Sequence, residues 1–117
     1  MKAAIFTTLL LAGPLMADVA PNKRHEIVHL LEYVRLSGCL LERNGSSYKG
    51  EQAVNHIKNK YDYFRGKIRN TEDFIRYAAT KSTLSGKYYT VNCKGHTART
   101  KDWLLKELSV YRLKRRF

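Results

Sequence analysis

The chain has 117 residues and carries 22 Lys and Arg against 10 Asp and Glu, a formal net charge of +12. That length holds one domain with a small core and excludes a multidomain architecture. The only long apolar run is at the N-terminus and falls short of the roughly 20 residues a bilayer-spanning helix needs, which excludes a membrane span from the rest of the chain.

The first 17 residues have the order of a secretory leader: Lys2, an apolar run from Ala3 to Met16 centred on Leu9-Leu10-Leu11, a break at Gly13-Pro14, and small Ala17 before Asp18. An uncleaved anchor or a buried N-terminal helix is the alternative, and Leu15 stands where a small residue is usual three positions before the cut. The expected division is therefore a signal peptide, residues 1–17, and a single domain, residues 18–117. Loss of Lys2 leaves a 100-residue domain of charge +11.

In the expected domain, Pro21-Asn22 opens a helix over about Lys23 to Leu36. Ile27, Leu30, Leu31 and Val34 form one apolar stripe at helical spacing, and Ser37-Gly38 supplies a left-handed stop. Cys39 to Arg43 reads as a short strand ending in the turn Asn44-Gly45. A second helix, about Gly50 to Arg69, carries Val54, Ile57, Tyr61, Phe64 and Ile68 in steps of three and four. Asn70-Thr71-Glu72-Asp73 has the cap and acidic first turn of a third helix running to about Thr80. A polar loop, Lys81 to Lys87, leads to a strand over Tyr88 to Cys93, a turn at Lys94-Gly95, and a last helix over about Lys101 to Leu113 capped by Thr100.

Only two cysteines are present, and an even number in an exported chain favours a disulfide between Cys39 and Cys93; two buried free thiols are the alternative. The fold class expected is α+β: a small, mostly helical domain of about four helices with a short two-stranded antiparallel piece and one disulfide. Its core should hold Ile27, Leu31, Val34, Val54, Ile57, Tyr61, Phe64, Phe74, Val91, Trp103, Leu104 and Leu108.

The run His-Leu-Leu, Ser-Gly-Cys, Arg-Asn-Gly and Tyr through residue 48 resembles the YfeK-like family of small exported bacterial proteins, a domain of unknown function. The resemblance continues through Ala53, His56, Lys60, the Thr71 to Ile75 helix start, Lys81-Ser82, Ser85-Gly86, Tyr89 and Trp103-Leu104. It implies a periplasmic or secreted location in a Gram-negative bacterium and a single small domain, and it brings no activity. Where the family has a Ser-like cap before the second helix, this chain has Lys49-Gly50. Arg43, Asn44, His56, Lys60, Ser82, Ser85 and Tyr89 are the polar positions that match the family. They are the candidate binding residues, or else turn formers and caps.

Motifs with catalytic or metal chemistry are thin. His25-Glu26-Ile27-Val28-His29 fits the zinc-protease string H-E-x-x-H, but it stands at the start of the expected domain with no identifiable third ligand. The apolar stripe centred on Ile27 also puts both histidines near the opposite, solvent face, as a solvated or locally hydrogen-bonded pair. His25 and His29 are thus weak metal candidates, and no metal or other cofactor is expected. Lys81-Ser82 to Ser85-Gly86-Lys87 lacks a following helix, so it is a turn or a contact for a small anion or sugar rather than a phosphate loop. No nucleophile elbow is present. Tyr61, Tyr63 and Phe64 interleave with cations, yet no nucleic-acid motif occurs and two of the three aromatics belong to the core stripe, which argues against a nucleic-acid partner.

The function expected is a non-catalytic binding module for an anionic envelope component or a protein partner. The alternatives are a small hydrolase, metal-dependent or acid–base, using His29 or His56, and an inhibitor or stress protein acting on an envelope enzyme.

Overall fold

A short 3-10 turn, Pro21–Lys23, feeds helix α1, Arg24–Leu36, in the computed structural model, which describes residues 17–116. The expected leader, apart from Ala17, lies outside the described residues. In α1, Ile27, Leu30 and Val34 are buried and Leu31 is half-buried. Gly38 follows the helix with φ +73°, a left-handed stop that glycine adopts without steric cost.

Strands β1, Leu40–Arg43, and β2, Ser46–Tyr48, form a hairpin. Asn44 and Gly45 at its tip both have positive φ, 49° and 82°, as a type I′ turn requires. Helix α2, Glu51–Phe64, comes next and ends in a 3-10 turn, Arg65–Lys67, so the α-helical part stops five residues short of the expected Arg69. Gly50 at its start has φ 57° and makes no side-chain cap. Helix α3, Thr71–Ala78, is capped by the Asn70 side chain, which accepts from Asp73 N at 2.7 Å. Strand β3, Thr90–Cys93, turns through Lys94-Gly95 into β4, His96–Arg99, and helix α4, Thr100–Lys114, follows directly. Thr100 is the first residue of α4 rather than its cap, and Arg99 in the cap position makes no side-chain bond.

The class is α+β, with four α-helices among the described residues, and the sheet there is larger than the sequence pattern showed: four antiparallel strands in the order β2-β1-β3-β4. The two additional strands are both edges. β2 is Ser-Ser-Tyr, and all four residues of β4 are exposed, so neither has the apolar alternation by which a strand is recognised.

Cys39 and Cys93 are joined by a disulfide, with Cα atoms 4.5 Å apart. The β1–β3 register pairs Leu40 with Asn92, so one further step places the cysteines opposite each other at the end of the central strand pair. On the same pair, buried Leu41 faces buried Val91. The helices close over this sheet around Ile57, Ile68, Phe74, Ile75, Leu104 and Leu108, each no more than 2% exposed. Leu31, Phe64 and Trp103, expected inside, are half-buried at the margin of the core.

Two polar networks fasten the helices. Asp18 accepts from the Tyr61 hydroxyl at 2.6 Å and from Arg65 Nη1 at 2.7 Å, while Val19 beside it is 1% exposed, so the chain is anchored from Asp18 onward. Glu26, only 2% exposed, accepts from the Thr71 hydroxyl of α3 and from Arg112 Nε and Nη2 of α4.

Candidate functional site

Helix geometry places His56 and Lys60, four residues apart, on one face of α2. The β1–β3 pairing brings Arg43 at the end of β1 and Tyr89 just before β3 to the same face, and the loop before β3 adds Ser82. These side chains line a cleft of about 330 Å³ whose apolar wall is Phe64. No Asp or Glu lines it.

The centre of the cleft is the Tyr89 hydroxyl. Lys60 Nζ donates to it at 3.2 Å and to the Lys81 carbonyl at 2.7 Å, and His56 Nε2 lies 3.1 Å from it. Because Lys60 donates, the phenol proton is free to point at His56 Nε2, which assigns the imidazole its Nδ1–H tautomer. The Tyr48 ring lies parallel to His56 with centroids 5.9 Å apart, and the Arg43 guanidinium sits over Tyr48. Arg43 Nη2 reaches the Tyr48 hydroxyl at 3.4 Å, while Arg43 Nε is buried with no hydrogen-bond partner.

The electrostatics follow from burial and like charge. Burial, aided by the cations of Arg43 and Lys60, lowers the His56 pKa to about 4. Burial and Arg43 lower that of Lys60, and burial raises that of Tyr89. At neutral pH the cleft therefore presents a neutral imidazole, a neutral phenol and two crowded cations.

The two remaining matching positions, Asn44 and Ser85, form a brace with Ser82. Asn44 Nδ2 donates to Ser82 Oγ at 3.1 Å, Ser85 Oγ donates to Asn44 Oδ1 at 2.7 Å, and the Ser85 amide donates to Ser82 Oγ at 3.2 Å. This network ties the β1–β2 turn to the loop before β3, and Ser82 and Lys87 close that loop through a backbone bond of 2.9 Å. All seven candidate residues thus gather in one region: His56 and Lys60 on the Tyr89 hydroxyl, Arg43 lining the same cleft, and Asn44, Ser82 and Ser85 holding the adjacent loop. The sequence pattern marks Tyr63 as an aromatic among cations but does not place it, Leu84 or Phe64 in a cleft with the matching polar positions. For Tyr63 the available signal was an aromatic off the apolar stripe of α2.

His25 and His29 do not face solvent as the stripe suggested. His25 Nδ1 lies 2.8 Å from the Tyr111 hydroxyl, and His29 Nε2 lies 2.6 Å from Glu107 Oε2 and stacks on Tyr111 at 3.9 Å. α1 packs against α4 as well as α2 and α3, so its contact surface is wider than one stripe. Among the described residues, no three His, Cys, Asp or Glu side chains come together in an arrangement that could hold a metal ion.

The depressed His56 pKa sets a pH dependence. The folded value, about 4, lies below the ordinary 6.5, so the fold is stabilised while His56 is neutral and loses that stabilisation as pH falls from 6.5 through 4. Solvent screening of the half-buried ring keeps the loss well below the roughly 3 kcal/mol that the full shift corresponds to. His56→Gln should flatten the stability–pH curve in that window in denaturant titrations, and the imidazole carbon shift should titrate near pH 4.

No solved structure matches the chain. A relative from Salmonella typhimurium, described only as the uncharacterized protein YfeK, is 33% identical over 82 residues, 69% of this chain and 68% of that protein. The family of unknown function DUF5329 matches residues 21–112, a span that includes every strand, the disulfide and the whole cleft, and the chain belongs to that YfeK-like family.

Proposed function

We propose that the protein is a non-catalytic binding module of the bacterial envelope that receives an anionic group in the cleft between Arg43 and Lys60. One observation carries this reading. Two cations line the cleft with no carboxylate among the lining residues, and Arg43 Nε is buried there without a partner. Crowded like charges are costly, and an anion at that point would remove the repulsion. The export half of the reading rests on the leader-like residues 1–17 and on the disulfide, which persists in oxidising compartments. Among the described residues no helix is long and apolar enough to cross a membrane.

An acid–base hydrolase on His56 has less to support it. The imidazole meets the Tyr89 hydroxyl rather than a carboxylate that could orient it, and the Ser82 hydroxyl that lines the cleft is engaged in the loop brace.

The test is a titration of the ¹⁵N-labelled, disulfide-intact protein with inorganic phosphate and with acetate at low salt. The expected result is saturable shifts at Arg43, His56, Lys60 and Tyr89, weakened at least ten-fold in the double variant Arg43→Gln/Lys60→Gln. Uniform small shifts over all basic surfaces, or saturable shifts that survive the double variant, would overturn the proposal.

A further inference from the structure

The cleft has a second chemical character. Among the described residues the two most exposed large apolar side chains are Leu84, 92% exposed, and Tyr63, 80% exposed. They lie on different elements, the loop before β3 and helix α2, yet both line this one cleft. Single exposed apolar residues need no explanation, but two converging on one cationic cleft do.

Leu84 is not outside by slackness of its loop. The Ser82–Lys87 and Gly86–Ser82 backbone bonds, both 2.9 Å, close the loop on either side of it, and the Asn44–Ser82–Ser85 network ties that loop to the β1–β2 turn. Tyr63 meets Phe64 edge-on with centroids 4.8 Å apart, so the aromatic wall runs from the floor of the cleft to its lip. Lys60 Nζ stands 5.7 Å above the Phe64 ring, which puts the cation directly against that wall.

We infer that the ligand is an acidic amphiphile taken up as a single molecule: a carboxylate or phosphate between Arg43 and Lys60, with an aliphatic tail lying over Phe64 between Tyr63 and Leu84. This rests on the anion-binding reading of the cleft and adds the apolar half of the ligand to it. The head group answers the two unopposed cations, and the tail covers the exposed apolar lip. A fully hydrated polar anion would leave Leu84 and Tyr63 in water, and a neutral lipid would leave Arg43 and Lys60 unopposed.

The experiment compares, on the disulfide-intact protein, inorganic phosphate with octyl phosphate and acetate with octanoate, all below micellar concentration, by NMR titration. Each tailed probe should bind at least ten-fold tighter than its headgroup alone, with shifts at Tyr63 and Leu84. Leu84→Ser and Tyr63→Ser should erase that gain and leave phosphate and acetate binding unchanged; both positions are solvent-exposed, so the fold survives the changes. Equal affinity for tailed and untailed probes would overturn the inference while leaving the anion site standing. Failure of all four probes would overturn the anion site itself. A separate arm uses vesicles of phosphatidylglycerol against phosphatidylcholine. Binding to the anionic vesicles without binding to the monomeric probes would also overturn the inference, in favour of a membrane surface.

Discussion

Replacing both Cys39 and Cys93 with alanine should lower the unfolding free energy by about 3 kcal/mol and the thermal midpoint by on the order of 15 °C. The bond joins positions 54 apart in sequence. Loop closure over that length corresponds to about 4 kcal/mol of lost freedom in the unfolded chain, and relaxation around the two alanines should recover part of it. The placement argues for a large effect. The bridge lies at one end of the β1–β3 pair, which is the centre of the sheet and joins its two hairpins. Without it, the hairpins are held together by three residue pairs, Leu40 with Asn92, Leu41 with Val91 and Glu42 with Thr90. The helices would remain, but the cleft spans that seam, because Arg43 belongs to the first hairpin and Tyr89 leads into the second. Anion binding at the cleft should therefore weaken in the reduced protein before global unfolding. Denaturant unfolding of the double variant, and of the wild type with and without reductant, checks this. A loss below about 1 kcal/mol would mean that the β1–β3 pairing holds without its covalent tie.

How much of this could be seen beforehand depended on whether a feature is written locally. The Asn44-Gly45 turn, the Val54-Ile57-Tyr61 part of the stripe on α2 and the Asn70 cap are set by residues within a few positions of one another, and each lies where its pattern put it. The disulfide was legible for a different reason: with two cysteines there is one possible pair. The edge strands were not legible, because β4 is His-Thr-Ala-Arg, stabilised by hydrogen bonds to β3 rather than by side chains that prefer a strand. The cleft was legible residue by residue, through the polar positions that match the family, but its division into a brace and a cationic centre was not. Asn44 and Ser85 look equivalent to Arg43 and Lys60 along the sequence and become distinct only when the loop folds back on the turn. The H-E-x-x-H string, set aside as a metal motif, has a structural role that its pattern does not show. Its two histidines turn to α4, and its glutamate, which in a metalloprotease would be the general base, is the buried partner of Arg112.

That glutamate yields the other large expected effect. Arg112→Ala should destabilise the protein by about 3–5 kcal/mol, because it strands the nearly inaccessible Glu26 carboxylate with the Thr71 hydroxyl as its one remaining side-chain partner. Arg112 also reaches Glu72 with Nη1 at 2.7 Å, so the substitution detaches α4 from both α1 and α3. The pH dependence separates a lost charge pair from lost packing. In the wild type, the hydrogen bonds from Arg112, opposed by burial and helped by Thr71, lower the Glu26 pKa from 4.5 to about 2. That stabilisation is complete above the unfolded value and is lost as pH falls from about 4.5 through about 2. In Arg112→Ala the sign reverses. Burial without the guanidinium raises the Glu26 pKa above its unfolded value, so acid relieves the defect by protonating the carboxyl. The stability gap between wild type and variant should therefore narrow steadily as pH is lowered from 7 toward 4. His56, common to both proteins, cancels in that difference. A gap independent of pH would assign the loss to packing of the arginine stem instead. The double variant Glu26→Met/Arg112→Met completes the argument: an apolar pair of similar length should recover most of the stability that Arg112→Ala loses, since what is costly there is an ionised oxygen with no counter-charge, not an empty volume.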